Sequence, residues 1–427
     1  MDRAWIPEGV QRCSAGAFYS WMALWLFVLG AAVTTALLIL WKGLNQTNMN
    51  DYFGFGAWIT ADLGVIALGA GAFFSGFLTY VLRIKELKAL INFAVIIGFI
   101  CYSSALLILT LDIGQPLRGW FGYWFPNIHS MLTEVIFCIT LYFMVLTIEY
   151  VPLILENRKI YANPVAHTLS HNFHEAMAIF AAIGTFLSFF HQGSLGGMYG
   201  VLYARPFAFR EGFFVWPWTF FLFIFSAISV GPTFTILVTK ITEKVARKRL
   251  VPKSAISVLA KIAGWLLCGY VIVKIADTYY WATHILPARG LTFAEQYHGY
   301  QYGLWLLFAE IGLCGIIPAL ILITRRLREN DKWLVLACTL ASFGVVLNRF
   351  IFTVQTLAMP VLPFDKWYIY FPSWQEWVTS LAVIAYGAVI ISLSYRYLPV
   401  FPYERDLNPP ALRIRLNKWF PPPCGEG

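Results

Sequence analysis

Charge is scarce in this sequence. Its 427 residues include 31 Lys and Arg and 22 Asp and Glu, so only 12% are charged, against roughly a quarter in an ordinary soluble domain. A chain of this length cannot cover a water-facing surface with so few charges, and the usual division into globular units of ~150 residues does not apply. Other absences narrow the class further. The apolar residues, 59% of the total, fall in blocks and not in period-two alternation, which argues against a porin-like barrel. The seven cysteines, Cys13, Cys101, Cys138, Cys268, Cys314, Cys338 and Cys424, include no Cys-x-x-Cys and no Cys-x-x-Cys-His. Their spacing therefore gives no support for iron–sulfur ligation, covalent haem or a metal site, and small apolar residues packing between helices is the expected role. No hydrophilic segment is large enough to fold alone, so any water-soluble chemistry belongs to other chains.

What is present is a series of ten apolar blocks: Ala17 to Trp41, Gly54 to Leu82, Ala89 to Leu111, Ile128 to Tyr150, Leu169 to His191, Phe213 to Thr239, Ile256 to Trp281, Tyr300 to Thr324, Trp333 to Leu357 and Glu376 to Tyr397. Each reaches the ~20 residues that a helix needs to cross a ~30 Å hydrocarbon layer. The first has no small-residue cleavage site and reads as a retained helix. The expected fold class is thus an all-α integral membrane protein with ten transmembrane helices.

Lys and Arg are unevenly placed. The N-terminus, the even-numbered loops and the C-terminus carry 22 of the 31, while the odd loops carry 6. By the positive-inside rule both termini are cytoplasmic. The net charge of +9 then needs no nucleic acid: Lys244, Arg247, Lys248 and Arg249 read as a hairpin beside anionic membrane lipids. The odd loops at about 112–127, 192–212, 282–299 and 358–375 face outward and are rich in aromatics and proline. Trp120, Tyr123, Trp124, Phe125, Trp216 and Trp218 suit an interfacial belt or a docked partner.

Ionisable residues inside the blocks carry the functional signal, because a charge at a helix centre costs about 2.5 to 3.5 kcal/mol on insertion scales. Asp62, Glu134, Lys274 and Arg349 each fall roughly 10 Å below the outer surface at the helical rise. Asp112, His129, His191 and Gln192 lie at helix ends on the same side. Carboxylates, imidazoles and an amide converging on one outward pocket are what quinone reduction needs: donors for two carbonyls and groups that deliver two protons. Structural pairing is the competing reading, and for Lys274 and Asp277, three apart on one helix, it is the favoured one. A second polar group, His171, His174 and Glu175, shares a helix face. It suits the start of a proton path, with Glu310 and Arg349 as further members, better than a metal or haem site. Gly64, Gly69, Gly71 and Gly76 on the second helix allow close approach of a neighbour.

A faint repeat links Pro116-Leu117-Arg118-Gly119 to Pro287-Ala288-Arg289-Gly290, 171 residues apart. With Glu134 and Glu310 on the third helix of each set, it suggests two parallel four-helix bundles, helices 2 to 5 and 6 to 9, flanked by helices 1 and 10. The expected divisions are a first helix and loop (1–53), a first bundle holding the quinone site (54–192), a second bundle (193–357), and a last helix with a cytoplasmic tail (358–427).

The runs Leu109-Thr110-Leu111-Asp112-Ile113-Gly114, Ser130-Met131-Leu132-Thr133-Glu134 continuing to Ile148-Glu149-Tyr150, His191-Gln192-Gly193-Ser194-Leu195-Gly196 and Tyr370-Phe371-Pro372-Ser373-Trp374-Gln375-Glu376 resemble the NrfD/PsrC superfamily, on its HybB/QrcD-like branch and nearer the menaquinone-reductase type. The resemblance runs in order over nearly the whole chain. It implies a subunit without haem or cluster, in the bacterial inner membrane, that binds menaquinone in the first bundle near the periplasmic face. It also implies electrons from a docked ferredoxin-like iron–sulfur subunit, accompanied by a multihaem cytochrome c and a molybdopterin-enzyme-like subunit. Asp112, Glu134 and His191 fall in the family's motifs; Asp62, Gln192 and His129 rest on depth alone. A haem-b membrane anchor and a secondary transporter are the other classes to weigh, the first because His129 and His191 form one possible imidazole pair within the spans.

Overall fold

In hydrocarbon, a chain must satisfy its backbone hydrogen bonds within itself, and a helix does so without leaving an open edge. The computed structural model, which describes residues 2–213, 215–297, 301–361 and 366–405, has ten helices of sufficient length and hydropathy to span. They are α1 (Ala15–Lys42), α2 (Ala57–Val81), α3 (Ile91–Asp112), α4 (Met131–Leu155), α5 (Pro164–Gly200), α6 (Trp218–Ala246), α7 (Lys253–Arg289), α8 (Trp305–Ile323) and α9 (Asp331–Ala358), then α10 (Trp374–Tyr397). A two-residue hairpin, β1 (Gly212–Phe213) against β2 (Trp216–Pro217), leads into α6. Cys424 and Tyr300 lie outside the described residues.

Boundaries differ from the sequence expectation at one place that matters. The apolar pattern ends the fifth block at His191, yet α5 continues through Gly193-Ser194-Leu195-Gly196-Gly197 to Gly200. The glycines that fall in the expected outward loop at about 192–212 are instead helical contact points. A Cβ at Gly193 would strike the Phe220 ring, and one at Gly196 the Phe223 ring and the Thr219 backbone. Tertiary packing against α6 thus overrides the weak helix propensity of glycine.

Helices α2 to α5 pack in a ring, α2 on α3, α3 on α4, α4 on α5 and α5 on α2; α6 to α9 pack in a second ring in the same manner. The rings meet where α2 packs against α6 and α9, and where α5 packs against α6. Helix α10 packs on α1 and α3, so the terminal pair flanks the first ring. Both Pro-x-Arg segments of the faint repeat form short 3₁₀ turns, Pro116–Arg118 after α3 and Pro287–Arg289 at the end of α7. Helices α2, α7, α8 and α9 each contain a π-helical stretch, at Phe77–Val81, Trp281–Ile285, Ala309–Ile316 and Ile351–Gln355. Such irregularities cluster at functional or strained places, and Glu310 sits in the third.

The join between rings depends on two glycines. A Cβ at Gly71 on α2 would collide with Gly231 O on α6, and one at Gly231 would collide with the Ala70–Gly71 backbone. Small residues permit this backbone contact, a recurring means of holding helices together in lipid. Gly71→Val is therefore expected to destabilise the protein by at least the ~1–3 kcal/mol of an overpacked core. Gly30→Ala, whose added Cβ meets nothing within 4 Å, is the control. Thermal unfolding of the detergent-purified protein followed by size-exclusion recovery checks this, and equal midpoints for the two variants contradict it.

Candidate functional site

The first ring encloses a group of polar side chains contributed by all four of its helices. Tyr102 on α3 lies at the centre. Its hydroxyl is 2.9 Å from Ser188 Oγ on α5, its ring centroid is 5.7 Å from that of His191 on α5, and it meets Tyr142 of α4 edge-on at 4.5 Å. His191 and Gln192 are fully buried. Both ring nitrogens of His191 lack a hydrogen-bond partner, and the Gln192 amide lies beside the Tyr102 hydroxyl without a bond of regular geometry. From α2, Asp62 is buried within electrostatic range of Tyr102, Tyr199 and Asp112, and one of its oxygens is unpartnered. Asp112, at the end of α3, likewise has an unpartnered oxygen and faces Glu376. Buried polar groups are ordinarily paired, so this cluster of orphaned atoms is unusual.

Glu134 borders the cluster. It stands in the first turn of α4, not two turns inside as depth counting implies, because the helix begins at Met131. Its carboxyl is half-buried beside Ser194 on α5, one turn beyond His191 on the same face, although the Ser194 hydroxyl itself donates to the Phe190 carbonyl at 2.7 Å. On the other side Asp112 approaches a capped helix start. In the capping box Ser373-x-x-Glu376, Glu376 accepts from the backbone N–H groups of Ser373 and Asn48, at 2.9 and 3.0 Å, and from the Tyr370 hydroxyl. Burial and the neighbouring Glu376 carboxylate push the Tyr370 hydroxyl above its ordinary pKa, which keeps it protonated as a donor.

His129 does not join this group. It is exposed before α4, and its backbone N–H bonds to Asn127 Oδ1 at 3.0 Å; the loop that carries it never enters the ring. The expected proton path is also divided. His171 and Glu175 are exposed and pair with each other at 3.4 Å, while His174 pairs with Glu156 at 2.7 Å. His174 is seventeen positions from His191, about 26 Å along α5.

Glu310 and Arg349 belong instead to a buried network in the second ring. Lys274 Nζ on α7 is 3.3 Å from Glu310 Oε1 on α8, and Asn348 Nδ2 on α9 donates to the same oxygen at 2.7 Å. Arg349 donates to Asn348 Oδ1 at 2.6 Å and to Ser226 Oγ on α6 at 2.8 Å, and it stacks over Phe223. Asp277 is held by Arg210 Nε at 3.1 and 3.2 Å to its two oxygens. The expected Lys274–Asp277 pair is thus replaced by two long-range ion pairs, Lys274 with Glu310 on α8 and Asp277 with Arg210 from the loop before α6, since tertiary packing brings better-placed partners than a residue on the same helix.

Tyr102, Ser188, Tyr199 and Glu376 are members of the site that sequence reasoning does not find. The Ser-x-x-Glu pattern before an apolar run is a legible sign for Glu376; a tyrosine or serine within a span carries no comparable signal. Among the described residues no group of three His, Cys, Asp or Glu is placed to hold a metal ion.

Ten helices long and apolar enough to span, with a buried polar cluster among four of them, define a polytopic membrane protein. Residues 44–360 match the family model described as polysulphide reductase, NrfD, and the chain belongs to that family. It is 56% identical, over 96% of its length and 98% of the relative's, to the menaquinone reductase integral membrane subunit of Nitratidesulfovibrio vulgaris. It is 22% identical to the probable Ni/Fe-hydrogenase 2 b-type cytochrome subunit of Escherichia coli, covering 88% of this chain and 92% of that one. It is also 22% identical to a selenate reductase subunit of Mesobacillus selenatarsenatis, covering 90% and 94%.

Removing one member of a buried ion pair leaves its partner uncompensated, at a cost of about 3–5 kcal/mol. Lys274→Met alone is expected to lower the thermal midpoint more than Lys274→Met combined with Glu310→Gln. A double variant no more stable than the single would show that the pair is not coupled.

Proposed function

We propose that this chain is the quinone-interacting membrane subunit of a respiratory oxidoreductase complex in the bacterial inner membrane, and that it receives electrons at its periplasmic face for the reduction of menaquinone. The observation that carries this reading is the contrast between the rings. The second ring holds Lys274, Glu310 and Asp277 in ion pairs and ties Arg349 to Asn348 and Ser226, leaving only its Nε open, whereas the first leaves both nitrogens of His191, the Gln192 amide and oxygens of Asp62 and Asp112 without partners. Unpartnered buried donors and acceptors are what a bound ligand with two carbonyl oxygens requires. The 56% identity to a menaquinone reductase subunit over nearly the full length supports the same substrate.

In this reading the quinone ring lies between α2, α4 and α5. An N–H of His191 donates to one carbonyl, with Tyr102 fixing the imidazole plane from the side and Gln192 as the second candidate donor. Two electrons and two protons convert the quinone to its quinol. Glu134 and Asp62 supply the protons, with Asp112 next in line beside Asp62; the His171, His174 and Glu175 group is proposed as a cytoplasmic-side proton entry, and Glu310 and Arg349 as a separate proton-path group deeper in the second ring. The two rings are read as a parallel repeat with both termini cytoplasmic, and the first ring as the quinone unit. The chain itself holds no haem or cluster in this proposal. An iron–sulfur subunit, with a multihaem cytochrome c and a molybdopterin-enzyme-like subunit, completes the complex on the outer side. The exposed Leu117, Trp120, Trp124, Phe125 and Ile128 offer a docking face for it. A haem-b anchor has less support, since the imidazoles that would pair, His129 and His191, are exposed and buried respectively.

Glu134→Gln is expected to leave the complex assembled and to lower quinone reduction by about 10²-fold or more, the range of a lost general acid. His191→Leu is expected to weaken quinone binding as well as turnover. Membrane assays with a menaquinone analogue, alongside a pyridine haemochrome spectrum, provide the check. Unchanged turnover in Glu134→Gln removes that residue from the mechanism, and a positive haemochrome signal from the chain overturns the haem-free reading.

A further inference from the structure

A crevice of about 1910 Å³ runs between the α1 and α10 pair and the outer faces of α6 and α9, well above the ~300–1,000 Å³ of ordinary small-ligand pockets. It adjoins the polar cluster at one end, where Tyr370, Thr60 and Ala61 line it, but Asp62, Asp112 and His191 do not. Its wall on α10 extends from Trp377 to Arg396, about 29 Å at the helical rise, close to the full ~30 Å of a bilayer's hydrocarbon layer. Trp21, Phe234 and Ile384 are typical of its length, and among the described residues no Asp or Glu lines it.

The two ends differ. Uncharged Tyr302, Tyr370 and Phe371 close one, while Arg12, Arg247, Lys248 and Arg396 gather at the other. The Arg12 side chain is 1% exposed, and one of its nitrogens pairs with Glu404 at 2.7 Å. Its Nε and Nη1 have no hydrogen-bond partner. Arg396 is buried over the Phe18 ring and donates to Cys13 O at 3.2 Å. Arg247 and Lys248 are exposed at the mouth. The apolar walls match acyl chains, and Arg247 and Lys248 at the mouth, with the two open nitrogens of Arg12, match a phosphate. An isoprenoid chain would satisfy the walls but make no use of Arg247 and Lys248 at the mouth.

We infer that this crevice is a binding site for one anionic phospholipid, with its phosphate held among Arg12, Arg247 and Lys248 and its acyl chains lying along α6 and α10. The site ties the terminal helix pair to the second ring at a place where the protein itself leaves them apart. It is independent of the quinone chemistry.

The full-length chain, purified in detergent with whatever subunits accompany it, is titrated with dioleoyl phosphatidylglycerol or dioleoyl phosphatidylcholine and read by native mass spectrometry. One phosphatidylglycerol is expected to be retained, in preference to phosphatidylcholine. Each cation beside a phosphate contributes about a five-fold factor, so Arg247→Gln with Lys248→Gln should weaken retention roughly thirty-fold. Lys244→Gln with Arg249→Gln, on the same hairpin but outside the crevice, should leave retention unchanged and the fold intact by circular dichroism. Equal retention of the two lipids, equal weakening by both double variants, or retention of a quinone in place of phospholipid would each overturn the site.

Discussion

An ionisable group placed among lipid chains must find a partner, a cavity or a neutral form, because hydrocarbon offers no other solvation. The two rings meet this constraint in opposite ways. In α6 to α9 Lys274 pairs with Glu310, and Arg349 joins them through Asn348 and bonds to Ser226 with only its Nε open, so the network links four helices through side chains. In α2 to α5 the polar atoms are equally buried, yet around the Tyr102–Ser188 hydrogen bond lie His191, Gln192 and Asp62 with atoms left unpartnered. A satisfied network fixes helices in place. An unsatisfied one is a destabilising arrangement that persists where the surrounding packing holds it, and it is suited to a ligand that supplies the missing partners.

Helix α2 makes that support possible. It packs against both rings, and its small residues let it approach closely: Gly71 lies on the Gly231 backbone, and Gly69 faces Cys101 and Tyr102. Two residues before Asp62, Thr60 bonds to Thr353 on α9 at 2.8 Å. Thr353 in turn donates to the carbonyl of Arg349. The carboxylate of the first ring and the ion network of the second are therefore tied through one short chain of contacts, so the position of Asp62 depends on packing in both halves.

The terminal helices serve a different purpose. Helix α1 presents most of its surface outward, with Phe27 and Trp41 strongly exposed. It is held to α10 by contacts such as Trp21 Nε1 donating to Ser392 Oγ at 3.0 Å. The pair closes one wall of the crevice without filling it, because α10 packs on α1 and α3 while α6 belongs to the other ring. Charge at one end of this gap and aromatic hydroxyls at the other follow the asymmetry of the loops.

Much of the architecture was legible in the sequence. Ten apolar blocks, each long enough to span, leave little choice but ten helices, since lipid forbids unpaired backbone. The scarcity of charge made each buried ionisable residue conspicuous, His191, Asp62 and Asp112 among them, and depth alone singled out the amide Gln192. The partners were not legible. Lys274 and Asp277 share a helix face yet pair with Glu310 and Arg210, and His129 looks equivalent to His191 in sequence while lying exposed. The stretch after His191 read as an outward loop, but contact with Phe220 and Phe223 keeps α5 helical to Gly200. Composition and periodicity are properties of a segment and its solvent, and these the sequence determined alone. Which polar atom meets a partner and which is left open depends on contacts between helices distant in the chain, and only the tertiary packing decided that.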